Sequence, residues 1–294
     1  MNLKKIFFPV FILLSFSASS MEKEVIIDTQ HVKGGIYMLK GQGGNIGISS
    51  GKDGLFMIDD QYAPLSEKIE TAIKGISASP VKFLINTHWH GDHVGGNQNF
   101  AHGGAVIVAH KNVRKRMSSE QLIKLFNKKV KPSPDSALPV ITFADEIEFH
   151  INGEIAQVIH MPHGHTDGDS IIWFKDSNVI HMGDLYFAGT FPFIDLSSGG
   201  SIDGVINAVN WVLENANRDT RIIPGHGPLS TMEDLLAYRN MLVDAREQVR
   251  LAIKGPGDLE KIKGDKVLKH LVAKWGNGFI KQDAFVEIIF ESLN

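Results

Sequence analysis

Cysteine is absent from all 294 residues. Disulfides, cysteine-based zinc clusters, thiol catalysis and a lipid anchor on cysteine are excluded with it. A basic surplus is missing too. Thirty lysines and arginines stand against 33 aspartates and glutamates, a formal charge of −3, which argues against a nucleic-acid binder. The one dense basic run, Lys111 to Arg116, reads as a solvated helix face. No linker rich in Pro, Gly or Ser divides the chain, and 43% hydrophobic with 21% charged residues is ordinary globular composition. The apolar run Ile6–Phe16 contains Pro9 and falls well short of the ~20 residues that a bilayer span needs.

That run follows Lys4-Lys5 and precedes Ser17-Ala18-Ser19-Ser20, the three parts of a cleavable export signal. The expectation is an exported, periplasmic protein that loses residues 1–20. Residues 21–294 are then expected to form a single domain. Loss of the two lysines moves the charge from −3 to −5. A small-molecule substrate is the expected partner. No nucleic acid, protein partner or stable membrane anchor is expected.

Strand-like and helix-like segments alternate along the rest. Gly35–Leu39, Asn45–Ser49 and Leu55–Asp59 read as antiparallel strands, with a hairpin signal at Lys52-Asp53-Gly54. A helix begins at Ser66, with Ile69, Ile73 and Ile76 on one face. Val81–Asn86 is a short apolar run suited to a buried central strand. Ser118 and Gln121 suggest a capped helix to about Lys129, ended by Pro132 and Pro134. Further strands are expected at 105–109, 140–143, 146–151, 156–161, 170–174, 178–182 and 221–224. Helices are expected at Ile202–Asn215 and Ser230–Ile253, the second capped by Ser230 with Glu233. Many short strands flanked by helices suggest an α/β sandwich of two sheets.

Thirteen histidines are a mild enrichment; their grouping says more. Thr87-His88-Trp89-His90-Gly91-Asp92-His93 follows directly on the buried strand. Zinc takes imidazole nitrogens and carboxylate oxygens. His88 and His90, two apart in extended backbone, point the same way and can grip one ion. Asp92 and His93 come as the chain turns and can serve a second. Three later loops offer further donors: His163-Gly164-His165-Thr166, His181-Met182-Gly183-Asp184 and Pro224-Gly225-His226-Gly227.

His-x-His-x-Asp-His, then Gly-His-Thr, Gly-Asp and Gly-His-Gly, in that order from about Gly35 to Ala252, resembles the metallo-β-lactamase fold superfamily. The resemblance implies an αββα sandwich with two zinc ions at one edge between the sheets. It implies that His88, His90 and His165 hold the first ion, and Asp92, His93 and His226 the second, with Asp184 bridging. His165 takes the Gly-His-Thr slot, which leaves His163 outside the ligand set. Asp59 matches a buried acidic position of the family, where it would hold a metal-bound imidazole by its other N–H.

Two Zn2+ ions lower the pKa of a bound water to about 7. The reaction expected from the resemblance is therefore hydrolysis by a metal-bridging hydroxide, with Asp92 orienting the nucleophile and handling its proton. A cyclic amide or ester, a β-lactam or lactone, is the first-ranked substrate. The same ligand set recurs in thioester and phosphodiester hydrolases. A mono-iron persulfide-oxidising enzyme and a non-catalytic periplasmic zinc-binding protein are the other readings. Oxygen-reducing di-iron relatives carry Glu where this chain has His90. The aromatic stretch Leu185–Ile194 either overhangs the site or packs as core, and Gly41–Gly44 is a candidate flap. Residues 185–203 contain no Lys or Arg, so a substrate carboxylate finds no charged clamp there and must use hydroxyls such as Thr190, Ser197, Ser198 or Ser201. That predicts a high KM for β-lactams, with uncharged lactones or esters comparable.

Overall fold

The computed structural model describes residues 24–294, so the leader expected over residues 1–20 lies outside the described residues. The chain begins with four antiparallel strands, β1 (Asp28–Lys33), β2 (Ile36–Lys40), β3 (Ile46–Gly51) and β4 (Gly54–Ile58). Helix α1 (Ser66–Lys74) leads to β5 (Val81–Asn86). The short helices α2 (Gly91–Val94) and α3 (Asn97–His102) precede β6 (Val106–His110) and α4 (Lys111–Met117). A small hairpin, β7 (Gln121–Ile123) with β8 (Lys128–Val130), comes before β9 (Ile141–Phe143). Strands β4, β5, β6 and β9 pair in parallel, which completes a seven-stranded sheet.

The second sheet has six strands: β10 (Glu146–Ile151), β11 (Glu154–His160), β12 (Ser170–Phe174), β13 (Val179–His181), β14 (Arg221–Ile223) and β15 (Ser230–Thr231). Helix α5 (Ile202–Asn215) joins β13 to β14, which pair in parallel. After β15 come α6 (Met232–Ile253), α7 (Leu259–Gly264), α8 (Lys269–Trp275) and α9 (Gln282–Leu293).

Successive side chains of a strand face opposite ways, and the buried residues sort accordingly into three cores. Ile58, Ile85 and Val108 face the second sheet and meet Val158, Ile172 and Phe174. Their neighbours Met57, Leu84 and Ile107 face outward onto Ile69 and Ile73 of α1 and Phe100 of α3. The far side of the second sheet is covered by α5, α6 and α9 through residues such as Val209, Tyr238, Leu242 and Phe285. The layers therefore run α, β, β, α, as the resemblance implied. Phe56 locks the two sheets, with edge-on ring contacts to Phe149 at 5.1 Å and Phe174 at 5.9 Å. Among the described residues no helix is long and apolar enough to cross a membrane.

Two local expectations change. The helix expected from Ser118 to about Lys129 is instead the β7–β8 hairpin. Its turn passes through Asn127 in the left-handed conformation, φ 47°, which asparagine tolerates. The Gln121 amide donates to Ser119 Oγ rather than to a helix cap, and Leu125 and Val130 pack on the main core. The long helix starts one residue later than expected. Thr231 caps it, in a reciprocal box with Asp234 rather than Ser230 with Glu233.

Candidate metal centre

The central strands carry the site at their C-terminal ends, where an open α/β sheet presents its loops. β5 delivers Thr87 to His93, β11 the loop to His165, β13 the turn to Asp184, and β14 the turn to His226. All seven expected ligands converge, in two groups whose donor atoms lie within 4.8 Å of one another. His88, His90, His165 and Asp184 form one group, and Asp92, His93 and His226 the other.

In the first group His90 Nδ1 lies 3.2 Å from His88 Nε2 and 2.8 Å from His165 Nε2. Asp184 Oδ2 is 3.9 Å from His88 Nε2 and 3.6 Å from His165 Nε2. The second group gathers round the other oxygen. Asp184 Oδ1 is 3.1 Å from His93 Nε2 and 3.3 Å from His226 Nε2. Asp92 Oδ2 is 3.7 Å and 3.4 Å from those same nitrogens. Donors about 2.0–2.1 Å from a tetrahedral zinc are about 3.3 Å apart, so both groups fit an ion.

Outward hydrogen bonds set the tautomers of the first group. His90 Nε2–H donates to Asp195 Oδ2 at 3.1 Å, and His165 Nδ1–H to the Phe193 carbonyl at 2.8 Å. His88 Nδ1–H donates to Thr87 Oγ1 at 3.0 Å, and that hydroxyl donates onward to Asp59 at 2.7 Å. Each ring's inward nitrogen then presents a lone pair. Three lone pairs and a carboxylate oxygen face one point, an arrangement of acceptors that only a cation satisfies. Asp184 Oδ1 is buried without a hydrogen bond of its own. The residues present fit two divalent metal ions.

The charge states follow the balance between burial and the neighbouring carboxylates. Burial holds His88 well below its ordinary value and brings His165 down to about 4. In the second group burial also opposes charge, but Asp184 and Asp92 outweigh it. They carry His93 well above its ordinary value and His226 up to about 9. Burial disfavours the Asp92 carboxylate too, yet His93 and His226 hold it down at about 2.

Asp59 sits where the sequence placed it, fully buried and 2.7 Å from His93 Nδ1. It also accepts the Thr87 N–H at 2.8 Å. Asp195 plays the same part for His90, and sequence reasoning missed it. The Ser198 hydroxyl donates to it at 2.6 Å and Ser197 donates as well. The only available signal was its place in a polar run after the Gly-Asp motif. Both serines are therefore spent on Asp195, and Ser201 caps α5, so of the four expected substrate hydroxyls only Thr190 lines the cavity.

His163 stays outside both groups, in an exposed left-handed turn with its Nδ1–H on the Gly199 carbonyl. His181 is also no ligand; its Nε2–H goes to the Asn45 carbonyl at 3.0 Å. The segment Gly41–Gly44 backs the site rather than hanging open: Gly44 N–H donates to the Asp92 carbonyl at 3.1 Å. A Cβ at Gly44 would collide with the His93 ring, so glycine is required there.

A cavity of about 590 Å³ opens on the centre. The stretch 185–194 serves two purposes. Leu185, Tyr186 and Ile194 are core, while Phe187, Phe191 and Phe193 line the cavity. Phe187 lies nearly parallel to the His226 ring at 5.0 Å and fixes it from one side. Residues 185–203 contain no cation, but the β7–β8 hairpin brings Lys128 to the same cavity, and the loop between α8 and α9 brings Phe279. The expected helix had hidden the first.

The family profile described as the metallo-beta-lactamase superfamily matches residues 47–242. The chain is 27% identical over 178 residues to a beta-lactamase-like protein 2 homolog of Caenorhabditis elegans, a match covering 59% of this chain and 52% of that protein. It is 34% identical over 106 residues to a hydroxyacylglutathione hydrolase of Methylococcus capsulatus, covering 36% of this chain and 34% of the other. The matches therefore span about half or less of these relatives' lengths. A metallo-beta-lactamase from Pontibacter korlensis superposes with a TM-score of 0.60 at 20% identity, over 74% of this chain and 99% of that one. At that identity the likeness establishes the fold alone. With the profile covering most of the chain, the ordered ligand motifs and the four-layer sandwich, this chain belongs to the metallo-beta-lactamase superfamily.

Proposed function

We propose that the chain is an exported dizinc hydrolase that opens a cyclic amide or ester, a β-lactam or a lactone. The observation that carries the reading is the position of Asp184, whose two oxygens face two separate clusters of imidazoles. Its hydrogen-bond capacity is left open on the side between them. Two zinc ions, when bound by these seven residues, supply an acidified water at neutral pH and polarise the electrophilic oxygen.

The chain's own groups do the remaining work. Asp92 reaches the cavity, with about a quarter of its side chain exposed (23%), and can take a proton from the nucleophile and return it to the leaving group. His90, held by Asp195, and His93, held by Asp59, keep their ring planes as substrate enters. The phenylalanine walls exclude bulk water from the reacting bond. Elemental analysis of zinc-supplied protein is expected to give two zinc ions per chain. A chromogenic cephalosporin and a lactone, each offered to zinc-loaded and chelator-stripped enzyme, test turnover. Absence of zinc-dependent hydrolysis of either sinks the reading, and a single tightly bound iron favours the persulfide-oxidising alternative.

A thioester substrate is the second reading, supported by the similarity to the Methylococcus capsulatus hydroxyacylglutathione hydrolase. Against it, glutathione carries two carboxylates and the cavity offers one lysine among phenylalanines. Including a glutathione thioester beside the lactone in the same assay separates the two.

A further inference from the structure

Two large apolar side chains at the cavity mouth are left in water. Phe279 is 78% exposed and Phe126 40%. They come from segments far apart in the chain, yet their rings meet at 5.3 Å, and Phe126 reaches Phe193 on the inner wall at 4.9 Å. An aromatic wall therefore runs without a break from solvent toward the centre. Exposed apolar surface that continues into a pocket marks a place where a ligand, not the protein itself, completes the burial. The volume of about 590 Å³ falls within the roughly 300–1,000 Å³ typical of pockets for drug-sized ligands.

One cation interrupts this wall. Among the described residues Lys128 is the only lysine or arginine lining the cavity. Its neighbours on the hairpin have acidic partners: Lys124 lies 3.6 Å from Glu291, and Lys129 4.0 Å from Glu120. Among the described residues Lys128 meets no carboxylate. An ammonium beside an apolar wall, with no counter-ion of its own, suits an anionic group on an otherwise apolar ligand. Inorganic anions would find the ammonium but gain nothing from the phenylalanines. Uncharged apolar ligands would use the wall and leave the ammonium unpartnered.

We propose that Lys128 is the anion-binding residue of this cavity, and that the cavity selects substrates bearing one carboxylate beyond an apolar body enclosed by Phe126, Phe193 and Phe279. The proposal rests on the hydrolase reading for its scissile bond, but not for its binding site. It also supplies the clamp that residues 185–203 lack, from the hairpin that packs beside them.

The test compares two esters on zinc-loaded full-length protein: p-nitrophenyl hexanoate and the mono-p-nitrophenyl ester of hexanedioic acid, which differ by a terminal carboxylate. Wild type is expected to prefer the carboxylated ester about tenfold in kcat/KM, chiefly through KM. In Lys128→Gln that preference falls to about one-to-one, and Lys128→Arg retains it. A preference unchanged in Lys128→Gln overturns the proposal. A second arm reads binding without turnover, using the fluorescence of 8-anilinonaphthalene-1-sulfonate, an aromatic anion. Its dissociation constant is expected to rise about tenfold in Lys128→Gln and also to rise in Phe279→Ala. Binding equal to wild type in Lys128→Gln is evidence against the lysine's role. If no ester is hydrolysed at all, the hydrolase reading fails while the fluorescence arm still decides whether Lys128 binds the anion.

Discussion

The two halves of the candidate metal centre differ in charge. In the inner group His88, His90 and His165 are buried, His90 at the cavity wall, and each ring is held by an outward hydrogen bond. In the outer group His93 is fully buried while Asp92 and His226 line the cavity, with 30% of the His226 side chain exposed. Burial holds His88 well below its ordinary value and brings His165 down to about 4. Nearby carboxylates keep the outer imidazoles protonated, with His226 at about 9. The inner group is thus prepared to receive a cation, whereas the outer group must first give up protons.

The sharpest way to break this comparison is to delete one ligand from each half. His88→Ala and His226→Ala are each expected to leave about one metal per chain and to lower activity by roughly three orders of magnitude. Elemental analysis and turnover check both. His226→Ala protein that keeps two metals and the full rate would dissolve the division into two subsites.

Next in size are the carboxylates behind the rings. Asp195→Asn is expected to weaken the inner ion by roughly 10–100-fold in affinity. Asp59→Asn is expected to weaken the outer ion by a similar factor and, through Thr87 and His88, the inner one less. Competition with a chromogenic chelator measures this. If Asp195→Asn weakens the outer ion, or Asp59→Asn leaves the outer ion unchanged, the pairing of Asp195 with His90 and Asp59 with His93 does not act as the geometry implies.

The pH dependence follows with its sign. The folded pKa of His226 lies above the ordinary histidine value, at about 9, so near pH 7.5 the metal-free ring carries a proton that binding must displace. Affinity for the second ion should rise with pH until about 9. His165, at about 4, carries no such proton, so affinity for the first ion should change little between pH 7 and 6 on its account. Zinc titrations in buffers of differing ionisation enthalpy report the proton release directly. Equal release at both steps would contradict the difference in charge.

The smallest expected effect concerns a third pair of imidazoles, away from the metals. His110 and His160 stack at 3.7 Å and 6°, and burial, followed by His160, brings His110 down to about 4. A folded value below the unfolded one means stability present above about pH 6.5 and lost as pH falls toward 4. The thermal midpoint of metal-free protein should drop a few degrees between pH 7 and 5, and less in His110→Phe. An unchanged slope in that variant would place the acid sensitivity elsewhere.

The candidate donors that the structure gathers were readable in the sequence because each belongs to a short motif at a strand end, where spacing and glycine placement are local properties. Asp59 was readable for the same reason, standing at the end of β4. Asp195 was not, because its meaning comes from His90, 105 positions earlier in the chain, and a carboxylate in a polar loop looks the same with or without that partner. The β7–β8 hairpin was misread because Ser118 and Gln121 have the spacing of a capping box, and only the packing of Leu125 and Val130 on the core shows the turn.

By itself the sequence determined the order of most strands and helices, the four-layer sandwich and the seven candidate donors that the fold brings together. Those depend on apolar periodicity and on residues close together in the chain. The tertiary structure alone decided the charge of the rings: burial prevails at His88 and His165, whereas the carboxylates of Asp184 and Asp92 prevail at His93, which is equally buried, and at His226. It alone decided the cavity, whose wall is assembled from a hairpin, the loop after Asp184 and a loop near the C-terminus. Cavities are made by elements meeting in space, and the lysine and phenylalanines that face one another here are far apart in the chain.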